Sequence, residues 1–313
     1  MASANTPSAG QPISILDVKR VFGPGLGQVP GDDLQDYHGL FYYSTIYPFR
    51  RDRFNATLST QLSLSDFYDK TAVDPVLPGS QLDVTPGTNK SFTIPVYRDE
   101  IKLELWGAGG GAGAADHDSV KPPGTTGGSS SLSVSITGAS TLTAGGGGGG
   151  TSGYRYGNQN GSGGGGGVAS NTGSFGTVTI VKTNGNSGGN GRAGDGKGSD
   201  GADAPNANTT FGQGGAFGAY NVNSRNGKPG IAAGGGGGSG GYSDFQSGKN
   251  ANPDRAAGGS GGSGAYASLT FTRAQLPPGA IITYTIGSGG AGSSGNHGNG
   301  AAGAPGGIKI SWS

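Results

Sequence analysis

Apolar and polar residues alternate with a period of two at seven places in this chain. They are Ser91–Val96, Ile101–Trp106, Ser131–Ile136, Thr177–Lys182, Ala267–Thr272, Ile281–Ile286 and Ile308–Trp312. Period two puts every second side chain on one face of an extended segment, so each stretch predicts a half-buried β-strand. In Ser131–Ile136, for example, Leu132, Val134 and Ile136 share one face, and Ser131, Ser133 and Ser135 share the other. Leu276-Pro277-Pro278-Gly279 supplies a turn between two strands. The strands gather towards the two ends of residues 91–313, with a long glycine-rich middle between them. The layout predicts a mainly β fold: a small β-sandwich closed by its own first and last strands, with the glycine-rich part displayed at one end.

Glycine sets the character of that middle. Only eight of the 71 glycines precede Gly107, where the strand Ile101-Lys102-Leu103-Glu104-Leu105-Trp106 breaks into Gly-Ala-Gly-Gly-Gly-Ala-Gly. An ordered glycine loses more backbone entropy than any other residue and adds no side chain to a core. The tract is therefore either flexible filler or an architecture that only glycine fits. Local three-residue periods favour the second. Gly185, Gly188, Gly191 and Gly194 form one set; Gly258, Gly261 and Gly264, then Gly292, Gly295 and Gly298, then Gly300, Gly303 and Gly306 form others. The continuous runs Gly145–Gly150, Gly163–Gly167 and Gly234–Gly238 satisfy any period. Three residues per turn is the repeat of the polyproline-II helix, which has no internal hydrogen bonds and must find partners on neighbouring segments. The register breaks, at Lys197 and Ala301 for instance, and proline is sparse, which excludes collagen. Short polyglycine-II-type helices packed side by side and joined by long loops are the expectation.

Upstream, residues 1–12 read as an N-terminal arm, 13–72 as a small ordered unit, 73–90 as a proline-stiffened linker, and 91–313 as the glycine-rich β domain. Within 13–72, Ile13-Ser14-Ile15-Leu16-Asp17-Val18 is echoed by Leu62-Ser63-Leu64-Ser65-Asp66-Phe67-Tyr68, and Ser14 or Ser65 with the following Asp suits a helix cap. A unit of that size is marginal alone and gains from docking on a partner or on itself. The formal net charge is +1 in 313 residues, so no strong field favours nucleic acid. Cysteine is absent, which excludes thiol nucleophiles, disulfides and thiolate-built zinc sites. No apolar run reaches 18 residues, and no basic stretch followed by an apolar one opens the chain, so neither a membrane span nor a secretory signal is expected.

The order of these parts resembles tailed-bacteriophage virion proteins. Ile13-Ser14-Ile15 with Asp17-Val18 and Phe22-Gly23, the tyrosine-rich middle Asp36-Tyr37-His38-Gly39-Leu40-Phe41-Tyr42-Tyr43, and Leu62-Ser63-Leu64-Ser65-Asp66-Phe67-Tyr68 are similar to a segment reading roughly "ISLSDI…FG…Y…ISLSDFYG". Leu16 stands where Ser is usual, and Asp69 where Gly is usual. The second half resembles the glycine-rich domain of phage tail and tail-fibre proteins. It shows the strand ending Leu105-Trp106-Gly107-Ala108-Gly109-Gly110-Gly111, then Pro278-Gly279 with Ile282–Gly290, and the last strand Gly307–Trp312. The resemblance implies a virion tail component assembled in the host cytoplasm, with residues 13–72 bound to other tail proteins. It also implies a host cell-surface glycan or outer-membrane receptor as partner, and a homo-oligomer, a trimer by fibre analogy.

Enzymatic chemistry finds little footing. Gly191-Arg192-Ala193-Gly194-Asp195-Gly196-Lys197-Gly198 mimics a phosphate loop but has Gly198 where Ser or Thr must meet magnesium. Asp116-His117-Asp118 offers metal donors, yet neighbours in a strand cannot all face one ion, so a solvated polar loop is the reading. Glutamate occurs only at Glu100 and Glu104, which gives no evident pair for glycoside cleavage. The expectation is a non-enzyme with no cofactor and no metal. Recognition remains. Aromatics interrupt the glycine tract at Tyr154, Tyr156, Phe175, Phe211, Phe217, Tyr220, Tyr242, Phe245 and Tyr266, either as contact tips or as apolar cover for the glycine segments. Tyr with Ser, Gly and Asn is the vocabulary of binding loops. Tyr154, Arg155, Tyr156, Tyr220, Asn221, Arg225 and Tyr242 are the receptor-binding candidates. Two alternatives stay open: a purely structural decoration protein of capsid, neck or tail, and a polysaccharide-degrading tail spike.

Overall fold

The computed structural model describes residues 41–44, 51–53, 70–72, 78–95, 97, 99–116, 119–135, 139–154, 159–191, 198–208, 212–218, 226–243, 255–296 and 298–313. Every regular element among them is a β-strand. In chain order these are β1 (Phe41–Ser44), β2 (Arg51–Arg53), β3 (Lys70–Ala72), β4 (Gly79–Asp83), β5 (Gly87–Thr93), β6 (Glu100–Trp106), β7 (Ala115–Asp116), β8 (Ser130–Ser135) and β9 (Ala139–Ala144). There follow β10 (Gly153–Tyr154), β11 (Ala169–Thr172), β12 (Thr179–Thr183), β13 (Gly241–Ser243), β14 (Arg255–Ala257), β15 (Tyr266–Thr272), β16 (Ile281–Ile286) and β17 (Gly307–Trp312). The strands β1, β2 and β3 form a three-stranded antiparallel sheet. The two motifs Ile13–Val18 and Leu62–Tyr68, with the proposed caps at Ser14 and Ser65, lie outside the described residues.

Two five-stranded antiparallel sheets carry the core, in the orders β12-β15-β6-β17-β4 and β11-β9-β8-β16-β5. Their inward residues form one apolar cluster: Ile101, Leu103, Leu105, Leu269, Phe271, Ile308 and Ile310 from the first sheet meet Leu132, Val134, Leu142, Ile282, Tyr284 and Ile286 from the second. Each such side chain taken out of water stabilises the fold by about 1.5–3 kcal/mol. A smaller cluster covers the outer side of the first sheet. There Trp106 and Tyr266 lie with ring centroids 5.2 Å apart among Ala204, Ala233 and Val84, and the Trp106 indole donates to the Pro205 carbonyl at 2.9 Å. The outer face of the second sheet bears rows of hydroxyl residues, such as Thr172, Thr141, Ser133, Thr283 and Ser91 across all five strands.

All seven expected strands are present, with shifted ends. The stretch Ser91–Val96 becomes β5, which starts at Gly87 and ends at Thr93; Thr177–Lys182 becomes β12, starting at Thr179. Residues 79–83, read from sequence as linker, form the edge strand β4 against β17. Proline bars a strand only from within, and Pro78 and Pro86 lie just outside this one. Strands β9 and β11 were not expected, because Ala139–Ala144 carries a single large apolar residue, Leu142, and Ala169–Thr172 carries none. Pairing with β8 recruits β9, which in turn recruits β11. Phe175 belongs to the sheet core and Tyr266 to the Trp106 cluster, so neither is a contact tip.

The strand directions sort the connections by end. Glycine stretches leave from one end of both sheets, after Trp106, Ala144, Thr183 and Ile286, and return at Ser130, Ala169, Tyr266 and Gly307. The opposite end has the links 94–99, 173–178 and 273–280, the start of β4 at Gly79 and the last residue, Ser313; the three-residue link 84–86 between β4 and β5 lies on the glycine end. Between glycine segments the backbone hydrogen bonds cycle through three directions. Gly107, Gly110 and Gly113 donate to Ala265, Gly262 and Gly259; Ala108 and Gly111 donate to Gly128 and Thr125; Gly109, Ala112 and Ala115 donate to Ala304, Ala301 and Gly298. The same segment accepts from Gly147, Gly150 and Gly153, from Gly237 and Gly240, and from Gly290 and Ser293. Residues 107–115 thus run through the middle of six neighbours, at N···O distances of 2.8–3.3 Å. Segment 257–265 is equally surrounded, donating to 234–240, 145–151 and 186–189.

Glycine is required by the closeness of these neighbours. A Cβ on Gly258, Gly261 or Gly264 would lie 2.0–2.2 Å from the carbonyl oxygens of Gly113, Gly110 and Gly107, one triplet apart on the facing segment. On Gly185, Gly188 or Gly191 it would strike Ser263, Ser260 and Ala257 at 2.2–2.3 Å. The three-residue spacing in the sequence is the spacing at which the segment turns back to the same neighbour. Flexible filler does not describe these segments. Where a backbone acceptor is missing, a side chain replaces it: Asp203 accepts from the Gly214 amide, Asp200 from Phe217, Asn190 from Gly163 and Ser260 from Gly189.

One polar group ties the two sheets at their β4/β5 edge. The Asp83 carboxylate accepts from the Thr85 amide and the Tyr284 hydroxyl, both at 2.9 Å, and pairs with Lys90 at 2.5 Å. Burial by itself raises the Asp83 carboxyl, but the Lys90, Thr85 and Tyr284 hydrogen bonds with the Lys90 charge hold it below its ordinary value. Burial, then the Asp83 hydrogen bond and charge, push the Tyr284 hydroxyl up to about 12.

Gly110→Ala places a methyl group 2.0 Å from the Gly148 oxygen and destabilises the protein by about 2–4 kcal/mol in denaturant unfolding. Gly165→Ala meets nothing within 4 Å and is neutral or stabilising by about 0.4–1 kcal/mol. The Asp83–Tyr284 pair gives the melting temperature two pH limbs. The Asp83 contribution is complete above the ordinary carboxylate range and is lost as pH falls through its lowered value; Asp83→Asn flattens that acid limb. The Tyr284 contribution is complete below 10 and is lost between pH 10 and about 12; Tyr284→Phe flattens that alkaline limb.

Candidate functional site

The end of the glycine segments remote from the sheets gathers short elements from distant parts of the chain. β7 runs parallel to β10, pairing Ala115 with Gly153 and Asp116 with Tyr154. Ala115 also forms an antiparallel bridge with Gly298. β13 and β14 make an antiparallel pair, Gly241 opposite Ala257 and Ser243 opposite Arg255, which lies beside β7 and, through β14, beside β10. Gly227 donates to the Asn299 carbonyl, and the Asn299 amide donates to the Asn226 side chain at 2.9 Å. Gly191 donates to Gly161, which donates to Ala257, and Gly218 donates to Ser239.

Tyr154 and the backbone of Tyr242 are thereby brought to the same end from separate parts of the sequence. Tyr154 is half-buried, and its amide and carbonyl exchange hydrogen bonds with Gln159 at 2.9 and 3.1 Å. Arg155, Tyr156, Tyr220, Asn221 and Arg225 lie outside the described residues. The described residues that flank them, Tyr154 and Gln159, Gly218 and Asn226, are at this end. Phe217, 37% exposed, also belongs here, held by its amide on Asp200.

Asp116 departs from the sequence reading. A solvated polar loop was expected, yet the Asp116 side chain is fully buried. Its Oδ1 accepts from the Ser119 amide at 3.2 Å and its Oδ2 from the Asn296 amide at 2.9 Å, with the Lys121 ammonium 3.6 Å from Oδ2. A buried carboxylate persists only when paired and hydrogen-bonded, and these three donors supply that. Nearby, the Ser152 hydroxyl donates to the Pro122 carbonyl at 3.0 Å, accepts from the Ala114 amide at 3.2 Å and lies 3.2 Å from the Ser293 hydroxyl. The only sequence signal for this cluster was that Asp116 is the first charge after a long run of Gly and Ala.

Among the described residues, no group of three or more His, Cys, Asp or Glu side chains is placed to hold a metal, and no helix is long and apolar enough to cross a membrane. No protein-family model matches the chain, and no curated protein matches it.

Proposed function

We propose that this chain is a bacteriophage virion protein of the tail tip or tail fibre, whose glycine-rich domain binds a host cell-surface receptor of the polysaccharide class. The supporting observation is the division of labour between the two ends. The chain comes into the sheets at Gly79, on the end opposite to the one from which the long glycine stretches leave. In this reading residues 13–72 attach to neighbouring tail proteins, and the remote end faces the host. Tyr154, Arg155, Tyr156, Tyr220, Asn221, Arg225 and Tyr242 supply the contacts. Rigid aromatic surface with adaptable polar neighbours suits a polyhydroxyl ligand, and copies on one oligomeric particle multiply weak affinities.

The domain in this proposal is a β-sandwich extended by polyglycine-II-type helices. The hydrogen bonds of residues 107–115, which return to the same neighbour every third residue, support that description. Its value for binding is stiffness: a mount fixed by backbone bonds lets the tips vary without loss of the scaffold.

Two measurements test the function. Immunogold electron microscopy with antibody against residues 107–313 is expected to label the distal tail; label over the capsid or along the shaft replaces the adhesin with a decoration protein. The purified chain is expected to bind spots on an array of bacterial surface polysaccharides, and Tyr154→Ala with Tyr156→Ala is expected to weaken binding by about tenfold or more. An array with no bound spot, or equal binding by the double variant, overturns the reading.

A further inference from the structure

We propose that Asp116 is the positioning residue that locks the separate loops at the remote end into one surface. It is the one charged side chain that is fully buried among the described residues. It lies outside the sheet core, at the end of a strand only two residues long. Three chain segments converge on it. Its own loop returns through Ser119 and Lys121, segment 293–298 docks through the Asn296 amide, and the Tyr154 strand pairs beside it in parallel register. The backbone bonds of Ala115 to Gly298 and of Gly153 to Ala114 bring these segments within reach. At Asp116 side-chain bonds join the backbone ones: its carboxylate accepts from the Ser119 and Asn296 amides.

The carboxylate is suited to this because it only accepts. Among its contacts are two amides and an ammonium, all of them donors. Asp116→Asn presents an NH2 group to one of those donors, opens that contact and removes the charge facing Lys121. Asp116→Ala removes both acceptors. Neither change touches the sheets. The consequence for receptor binding rests on the function proposed above; the structural consequence does not.

Amide hydrogen exchange on the full chain tests the structural part. In Asp116→Ala the Ser119 and Asn296 amides are expected to exchange about tenfold faster or more, the factor that one lost hydrogen bond to a charged group gives. Leu103 and Leu269 in the sheets are expected to keep their rates. Asp116→Asn is expected to accelerate one of the two amides more than the other. Unchanged exchange at 119 and 296, or equal acceleration in the sheets, overturns the proposal. Lys121→Met guards against general destabilisation: it is expected to accelerate the Ser119 and Asn296 amides less than Asp116→Ala does, and an equal or larger effect assigns the lock to Lys121 and overturns it. The polysaccharide array, run on Asp116→Ala, separates the two levels. Local acceleration with lost array binding supports both; local acceleration with full array binding keeps the lock and overturns its consequence for binding, while an array that the unaltered chain does not bind overturns the receptor reading alone.

Discussion

Close approach of backbones is the constraint on which this molecule depends. A segment whose amides point in three directions in turn cannot bond to itself, and each amide needs a neighbour near enough to accept. A β-carbon stands in the way of that neighbour. At Gly110 it would come within 2.0 Å of the Gly148 oxygen, and at Gly113 within 1.9 Å of Thr151. Removing the side chain costs conformational entropy at every position. The return is a body whose interior is satisfied hydrogen bonds, as segments 107–115 and 257–265 show with six neighbours each. The apolar work is left to the two sheets, whose shared core gives the glycine segments fixed starting points.

How much of this could be read from the sequence follows from which forces leave periodic marks. Strands with large inward residues, such as β6 with Ile101, Leu103 and Leu105 and β8 with Leu132 and Val134, announce themselves because core burial imposes a two-residue rhythm. Glycine triplets such as Gly258, Gly261 and Gly264 announce themselves because close packing imposes a three-residue rhythm. Elements recruited by a partner leave no such mark. β4 consists of Gly, Ser, Gln, Leu and Asp and exists because β17 offers an open edge. β9 and β11 are small and polar for the same reason.

The candidate site was legible only in part, and the reason differs by residue. Tyr154 stood out as an aromatic amid glycine, and the fold adds the strand of Tyr242 as its companion at the same end. Asp116 was misread because burial of a charge is a property of its surroundings. Ser119, Lys121 and Asn296 are unremarkable in sequence, and Asn296 lies far along the chain. Clusters made by chain segments that meet only through the bundle cannot be found by local pattern.

The two halves of the domain count residues differently, and that limits how the protein can change in length. In the sheets a slip of one residue turns every side chain to the wrong face, so length changes there come in twos. In the glycine segments the direction of each amide recurs after three, so a triplet added to one segment returns it to the same neighbour. Segments 107–115, 145–153 and 257–265 are bonded in common register, so each would have to lengthen together with its neighbours. At the remote end neither count applies. Change in the length of this chain is therefore quantised along its axis, in twos within the sheets and in threes within the glycine segments, and a count free of both rhythms is left to the connections between them.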